Sequence, residues 1–457
     1  QPHHKKLDTQ LVVAVRRAEG DTDAVGLPLR EKMNATSNEV DAHDVHDIYH
    51  VEIKAEITPR LLQRISAQSG RVLAKSEKHG VMTADLSLDA IEDLAHLDEV
   101  KRISTAHENF SSQTVGPLIV ANADGVAAHA VDVARERFGL DGTGVKVGVI
   151  SGGVAHLTEL QAEGLLPEVK FELEEGQQLP GIPGDAEGTA MLEIVHSIAP
   201  GAELFFATDS PGNPGMIRAI EYLSEEAGVD IIVDDITRRT AYPFQDDEVA
   251  VAAQQAADAG ILFFTSAGNT GNALSGAAWD YEADYRPGTG PVLREGYTDL
   301  HIFGESNWGN TLVANAQFVC LFWSDPIGQS ANDYDLFVYD SNLNLVNYSA
   351  DFQDGTGFPI ECVYGVEYTQ ILVVMRDEGA EPRAIHLAMG GGDYRPGMLF
   401  TTAGSIRGHQ GAKGVFAVAS TSAAGQTTPF TSQARVEPSS TDGFRRILFE
   451  ADGTPIT

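Results

Sequence analysis

Between Val145 and Thr265, continuous apolar runs alternate with segments whose apolar residues recur every three or four positions. The apolar runs predict buried strands and the amphipathic segments predict helices. The predicted strands are Val145–Ile150, Ala202–Ala207, Val229–Val233 and Ile261–Thr265, with helices that begin at Glu187, Met216 and Asp247. This alternation is typical of an α/β fold with a doubly wound parallel sheet. The apolar run 414–420 predicts a further buried strand of that sheet.

The preceding segment, residues 45–108, has a smaller pattern in which strand-like and helix-like stretches succeed one another as β-α-β-β-α-β. That succession predicts a ferredoxin-like α+β module. Another small α+β domain is the alternative. Residues 1–44 are polar and mixed in charge and predict a flexible extension, and residues 109–135 predict a linker.

Residues 286–397 contain short aromatic or β-branched runs separated by Gly, Asn and Asp. This pattern predicts an antiparallel β-sandwich. Because α/β character precedes it in 136–285 and returns in 398–457, we expect the sandwich to be inserted into the α/β domain. A chain of 457 residues is too long for a single core, which agrees with several folded units.

The formal net charge of −35 argues against nucleic acid as a partner, because the phosphates would be repelled. No uninterrupted run of 18 apolar residues occurs, so we expect no membrane span and no membrane partner. The acidity suits a protein that binds cations or works at high salt.

Two features of the sandwich region leave alternatives open. Cys320 and Cys362 either pair as a disulfide outside the cytosol or are two buried thiols. Asp333 and Asp335 either supply oxygen ligands to Ca²⁺ or are solvated turn residues.

Polar residues stand where the predicted parallel strands end, and such ends meet at one edge of a sheet. They are Ser151, Asp234, Asp235 and Asn269, and Glu187 opens a helix on the same edge. Glu187 takes part in chemistry there or caps its helix. A carboxylate near another has a raised pKa, which makes Asp234 or Asp235 the expected partner of Glu187. Alternatively, one of these two carboxylates caps the next segment and the other is solvated.

A magnesium site for phosphoryl chemistry at Asp234 and Asp235 is a third, weaker hypothesis, because no glycine-rich phosphate cradle accompanies the pair.

Six segments in this order resemble the subtilisin-like and sedolisin-like serine peptidases. They are VKVGVISGGV (145–154), EGTAML (187–192), APGAELFFA (199–207), DIIVDD (230–235), FFTSAGN (263–269) and GVFAVAS (414–420). The resemblance covers 136–285 and 398–457. It implies that the small module is an inhibitory propeptide, with its tail around Ile103–Phe110 in the cleft, and that the sandwich resembles a pre-peptidase C-terminal domain.

The resemblance implies roles for individual residues. Glu187 matches the general base of sedolisins, and Asn269 matches the amide that donates to the oxyanion in subtilisins. Ser266 and Gly268 fall in the substrate-binding segment. Ser151 and Gly152 stand where subtilisins carry the catalytic Asp, so that acid position is vacant. Met191 stands where sedolisins carry an Asp, and His196 is rejected as a base because it faces the opposite side of the helix from Glu187.

The Gly-Thr-Ser segment that carries the nucleophile in these families occurs nowhere in the sequence. We therefore expect a secreted or cell-envelope serine endopeptidase of polypeptides in precursor or truncated form, inactive as this chain alone. We expect the serine either on a separate C-terminal fragment or in residues that follow Thr457. The alternative is an inactive pseudopeptidase that acts as a peptide-binding or scaffold protein, which the vacant acid position favours. No cofactor is expected apart from Ca²⁺.

Overall fold

A computed structural model of the chain describes residues 2–18, 48–107, 109, 124–173, 179–238, 240–390, 397–422, 436–443 and 445–456. The described residues form a small N-terminal module, a parallel α/β body and a pair of antiparallel sheets.

The N-terminal module is a four-stranded antiparallel sheet with helices on one side, and its strand order is β2-β3-β1-β4. Its elements are α1 (Thr9–Ala18), β1 (Ile48–Ala55), α2 (Pro59–Ala67), β2 (Arg71–Ser76), β3 (Val81–Ser87), α3 (Leu88–Ala95) and β4 (Val100–Thr105). The hydroxyl of Thr58 caps α2, and that of Ser87 caps α3, each by accepting from a backbone N–H of the first turn. From β1 onwards the succession is the β-α-β-β-α-β order that the hydrophobic pattern predicts.

The predicted flexible extension is wrong for residues 2–18, because they are folded against this module. Leu7, Leu11 and Val15 are at most 2% exposed and belong to its core. Leu11 and Val15 are four positions apart and lie on one face of α1, and Leu7 precedes the helix. The mixed charge of the segment obscured this apolar spacing. The Asp8 carboxylate accepts from the backbone of Leu11 and of β4. Residues 19–47 of the predicted extension lie outside the described residues.

The α/β body begins with α4 (Asp124–Ala128), α5 (Val131–Phe138), β5 (Lys146–Ser151), α6 (Leu157–Ala162), β6 (Val169–Lys170), α7 (Glu187–Ile198), β7 (Glu203–Thr208), α8 (Gly212–Glu221), β8 (Ile231–Asp234), α9 (Glu248–Asp258) and β9 (Leu262–Ser266). A π-helical turn, Tyr222–Glu226, extends α8. Side chains of β5 alternate between two cores, one shared with α6 and α7 and the other with α8 and α9. The sheet is therefore covered on both faces, as a doubly wound sheet requires.

The antiparallel part contains β10 (Tyr281–Asp284), β11 (Pro287–Gly288), β12 (Tyr297–His301), β13 (Asn310–Thr311), β14 (Ala316–Trp323), β15 (Tyr334–Tyr339), β16 (Leu345–Ser349), β17 (Ile360–Val366), β18 (Ile371–Asp377) and β19 (Ala384–Gly390). One sheet has the order β10-β19-β14-β17, and the other has the order β11-β12-β18-β15-β16 with β13 beside β18. Buried residues of both sheets share one core. Cys320 and Cys362 are register partners on β14 and β17 and form a disulfide.

The last strand, β20 (Val415–Val418), returns to the parallel sheet and completes the order β20-β9-β8-β5-β7-β6. The prediction that this strand is buried is wrong for the described residues, since Phe416 and Val418 are 51% and 53% exposed. A run of apolar residues predicts a strand, but its burial depends on what covers the sheet edge, which the run itself does not encode.

Charged side chains lie buried where the three parts meet. Lys54 of β1 forms an ion pair with Glu248 at the start of α9. Arg102 of β4 donates to Asp351 of the antiparallel part at 2.9 Å, and Asp351 also accepts from Thr9 at 2.6 Å. These groups line a polar cavity of about 50 Å³. The N-terminal module is therefore bound to both other parts.

None of the helices among the described residues is long and apolar enough to cross a membrane.

The docked N-terminal helix predicts a stability effect that a flexible extension would not show. We expect Leu11→Ala to lower the free energy of unfolding by about 3 kcal/mol, because it removes a buried side chain and leaves a cavity. Urea unfolding measures this difference. The control Ile48→Ala, at a residue that is 56% exposed, should change it by less than about 0.5 kcal/mol. Equal effects of the two changes would contradict the packing of this helix.

Candidate active site

Hydrogen bonding between parallel strands brings the predicted site residues to one edge of the sheet. Ile150 of β5 is the register partner of Asp234 of β8, and Asp234 is the partner of Thr265 of β9. Ser151 and Ser266 end β5 and β9 one residue further on. The strand-end residues therefore share the carboxyl edge, as the sequence predicts.

Glu187 reaches this edge because the start of α7 is fastened to the chain that leaves β5. The N–H of Gly188 donates to the carbonyl of Gly153 at 3.0 Å. A Cβ at Gly188 would overlap the Phe206 ring, so only glycine permits this approach. The Asp185 carboxylate accepts from the N–H of Glu187 at 2.9 Å and satisfies the first turn. Glu187 itself is half-buried.

The predicted vacant acid position, at Ser151 and Gly152, has a carboxylate beside it in space. Ser151 is fully buried, and its hydroxyl makes no hydrogen bond with any described residue. Gly152 has no side chain, but a Cβ built there would overlap Oδ2 of Asp185. Asp185 therefore fills the space that a side chain at residue 152 would occupy. The sequence places Asp185 near the start of α7 but does not indicate that its carboxylate lies beside Gly152.

Asp234 is engaged in the interior of the sheet edge. It is 2% exposed, and its Oδ1 accepts from the Thr265 hydroxyl at 2.8 Å and from the N–H of Ile236 at 2.9 Å. The same oxygen lies 3.2 Å from Nε2 of His409. These contacts differ from the predicted partnership of Asp234 with Glu187. Asp235, the other predicted partner, is also buried, at 8% exposure.

His409 is a member of the site that sequence reasoning missed. It is fully buried on a 3₁₀ turn, Gly408–Gly411, that immediately precedes β20. The next residue, Gln410, donates to the carbonyl of Ser266 at 2.8 Å. In the sequence, His409 stands between two glycines shortly before an apolar strand. This pattern does not indicate a contact with Asp234, which is 175 residues away.

The loop after β9 is held by hydrogen bonds to Thr441, and its residue Asn269 is exposed to solvent. Gly268 has φ +91°, and its carbonyl accepts from the N–H of Thr441 at 3.0 Å. The Thr441 hydroxyl in turn accepts from the N–H of Thr270 at 3.0 Å. The Asn269 side chain is exposed between these anchored neighbours. An amide on a rigid loop suits stabilisation of developing negative charge.

The chain that leaves the N-terminal module runs toward the same side of the sheet. The hydroxyl of Tyr364 and Nε2 of His107 are 2.8 Å apart. Asn109 donates to the carbonyl of Gly212 at 3.2 Å, where α8 begins after the carboxyl end of β7. Of the predicted tail, Ile103 is buried within the module and Phe110 lies outside the described residues.

The sequence suggests two metal sites, one for magnesium at Asp234 and Asp235 and one for calcium at Asp333 and Asp335. Within the described ranges, no group of three or more His, Cys, Asp or Glu side chains is placed to hold a metal ion together. At Asp234 the described partners are a hydroxyl, a backbone N–H and an imidazole. At Asp333, burial and the nearby carboxylate of Asp377 raise the pKa to about 7. Burial and Asp333 raise the pKa of Asp335.

No family model and no curated protein sequence matches the chain. Three solved structures that resemble it are proteases. The CspB protease of Clostridium perfringens is 13% identical with a TM-score of 0.42, over 72% of this chain and 79% of that one. The epidermin leader peptide processing serine protease of Staphylococcus aureus is 12% identical with a TM-score of 0.32, over 50% and 61%. Fervidolysin from Fervidobacterium pennivorans, a keratinolytic enzyme related to subtilisin, is 12% identical with a TM-score of 0.30, over 84% and 80%. At these TM-scores the likeness assigns no activity.

The anchored loop predicts that a side chain at Gly268 lowers the stability of the protein. We expect Gly268→Ala to cost more stability than Gly276→Ala, because both glycines have positive φ but only Gly268 is crowded. A Cβ at Gly268 would lie 3.1 to 3.3 Å from Thr441, Thr237 and Gln410, whereas nothing lies within 4 Å at Gly276. The difference should exceed about 1 kcal/mol in urea unfolding. Equal costs would show that the loop is not held as described.

Proposed function

We propose that this chain is the larger part of a serine endopeptidase of the subtilisin-like and sedolisin-like superfamily, in which Glu187 is the general base. The observation that carries the proposal is that Glu187 and Asn269 stand on one edge of a doubly wound parallel sheet. A base and an oxyanion donor on one edge are the two groups that acyl transfer requires besides the nucleophile. The six sequence segments that resemble the superfamily fall on β5, α7, β7, β8, β9 and β20.

In the proposed reaction, a serine hydroxyl attacks the carbonyl carbon of a peptide bond and Glu187 accepts its proton. The carbonyl oxygen becomes negative and accepts a hydrogen bond from the Asn269 amide. The proton then passes to the leaving nitrogen, and water hydrolyses the acyl-enzyme. Asp185 is the proposed carboxylate neighbour of Glu187 in place of Asp234, with Asp235 as the other candidate. A carboxylate beside the base raises the pKa of the base toward neutrality.

The nucleophile is proposed to come from a further segment that docks on the uncovered side of β9 and β20. Leu262, Phe416 and Val418 are each at least 50% exposed there. The rings of Phe264 and Phe416 stack with centroids 5.1 Å apart. Exposed apolar side chains on one face of a sheet form a surface against which another segment can pack. A C-terminal fragment that carries the Gly-Thr-Ser motif of the superfamily suits this surface.

The N-terminal module is proposed to be an inhibitory propeptide. Its β3 contributes Val81 to the core that α8 and α9 share with the sheet. Its outgoing chain reaches Gly212 at the carboxyl side of the sheet. A polypeptide substrate would lie in an extended conformation along the same edge. Secretion or a place in the cell envelope is proposed from the disulfide, because such bonds persist in oxidising compartments.

The second candidate is a pseudopeptidase that binds peptides or acts as a scaffold. The observation that favours it is the buried Ser151 at the position of the catalytic acid. The two candidates make opposite predictions for the same variant.

We expect Glu187→Gln to reduce casein hydrolysis at least about 100-fold, because a general base contributes about 10² to 10⁴ to the rate. The assay uses the protein together with the segment that carries the serine. The matched control is Glu193→Gln, six positions further along the same helix and facing away from Glu187. Full activity of Glu187→Gln would exclude the proposed base. A wild-type protein with no activity but saturable peptide binding would support the scaffold.

The ion pair that joins the N-terminal module to α9 predicts a second effect, on stability and on the onset of activity. Lys54→Met leaves Glu248 and Glu52 buried without their cation, and breaking a buried ion pair costs about 3 to 5 kcal/mol. We expect this loss in urea unfolding, together with faster onset of casein hydrolysis in the serine-containing protein. The control Lys75→Met removes a pair with the exposed Glu77 within the module and should cost at most about 1 kcal/mol. Destabilisation without faster onset would argue against an inhibitory module.

A further inference from the structure

Asp333, Asp335 and Asp377 lie near one another on the sheet that contains β15 and β18, far in sequence from the proposed active site. Asp333 immediately precedes β15 and Asp335 is its second residue, so the two are two positions apart and lie on the same face. Asp335 is the register partner of Met375 on β18, and the N–H of Asp377 donates to the carbonyl of Asp333 at 3.1 Å. Asp377 is therefore opposite Asp333. Like charges directly across two strands are destabilising unless something neutralises them.

Oxygen atoms in this region lack donors. Oδ1 of Asp333, Oδ1 of Asp335 and Oε1 of Gln353 are all buried and accept no hydrogen bond from the described residues. Asp335 is 6% and Gln353 4% exposed. The backbone N–H of Gln353 also interacts with the Asp333 carboxylate, which brings the two residues together. A buried acceptor with no donor is costly, so these three oxygen atoms are suited to bind a positive group.

The orientation of the Gln353 amide is fixed by its other atom. Its Nε2 donates to Oε1 of Glu361 at 3.0 Å, and a carboxylate requires a donor there. The amide oxygen is consequently the atom that remains without a partner. This observation is independent of the acidic residues.

The described cations nearby are already paired. Arg376 donates to Asp299 at 2.6 Å, and Arg102 donates to Asp351 at 2.9 Å. Asp335 accepts from the hydroxyl of Tyr297 through Oδ2 only. Among the described ion pairs, none includes Asp333 or Asp335.

We propose that Asp333, Asp335 and Gln353 form a binding site for Ca²⁺. Carboxylate and amide oxygens in an irregular arrangement are the ligands this ion takes, with backbone or water oxygens completing the shell. The absence of nitrogen and sulfur donors disfavours zinc. The site is independent of catalysis, so it stands whether the chain is a peptidase or a scaffold.

A bound ion would also order the segment that holds the N-terminal module. Gln353 is two residues from Asp351, which accepts from both Thr9 and Arg102. Calcium would thus stabilise the junction between the antiparallel part and the module.

Terbium is the probe for this site, because it replaces Ca²⁺ and becomes luminescent when excited through a nearby aromatic ring. The Tyr297 hydroxyl contacts Asp335 directly. We expect wild-type protein to give Tb³⁺ emission on tyrosine excitation, and Ca²⁺ to displace it. Ca²⁺ should also raise the unfolding temperature relative to protein in EDTA, by about 3 °C or more at saturation.

Asp335→Asn should weaken Tb³⁺ and Ca²⁺ binding at least about tenfold, because affinity depends on the number of ligand charges. Asp333→Asn serves as a second variant, and circular dichroism checks the fold of both. The matched control is Asp340→Asn, because Asp340 is exposed and its oxygens already accept from Asn342 and Asn344. Asp340→Asn should bind like wild type.

Three results would overturn the proposal. The first is no sensitised emission and no thermal shift with millimolar Ca²⁺. The second is binding by a folded Asp335→Asn protein equal to that of wild type. The third is equal weakening by Asp340→Asn, which would mean that the ion is attracted only by the net charge.

Discussion

Parallel hydrogen bonding among β5, β8 and β9 is the constraint on which the proposed site depends. Each strand rises about 3.3 Å per residue, so a slip of one position would move a strand-end side chain by that distance and turn it to the other face. The register that joins Ile150, Asp234 and Thr265 prevents this slip. The buried contact of Asp234 with Thr265 and His409 reinforces it, because it ties the ends of β8 and β9 to the turn before β20. In this arrangement Asp234 joins the ends of β8 and β9 to the segment before β20.

Buried charge then determines how the N-terminal module sits on this body. Burial alone lowers the pKa of Lys54, but Glu248 and Glu52 outweigh that effect and raise it, so the ammonium stays charged. Arg102 of β4 likewise donates to Asp351 of the antiparallel part at 2.9 Å. Ion pairs of this kind add little net stability, yet any other docking would leave a buried charge without its partner. The charges therefore select one arrangement of the module.

The sequence was sufficient for features that repeat along the chain and insufficient for contacts between distant segments. Alternating apolar and amphipathic runs predicted β5, β7, β8 and β9, the helices α7, α8 and α9, and the edge at which Glu187 and Asn269 stand. They did not predict the short elements α6 and β6 between β5 and α7. Periodicity carries no information about Asp185 beside Gly152 or His409 beside Asp234, because these pairs arise from the packing of loops. The pairing of Cys320 with Cys362 was undecided for the same reason, since it depends on the register of β14 and β17. The mixed charge of the first residues also obscured the apolar face of α1, which is why a flexible extension was predicted there.

Asp185 bears on the proposed peptidase, because it lies beside the predicted vacant acid position at Ser151 and Gly152. The proposed chemistry uses a carboxylate near the base, and neither of these two residues supplies one. Asp185 enters the volume that a side chain at residue 152 would fill, and its carboxylate also binds the N–H of Glu187. In the proposed peptidase, Asp185 therefore keeps a negative charge beside the base although the strand itself carries no acid. The buried Ser151 is then weaker support for the proposed scaffold than the sequence alone suggests, and the exposed apolar face of β9 and β20 supports the proposed further segment.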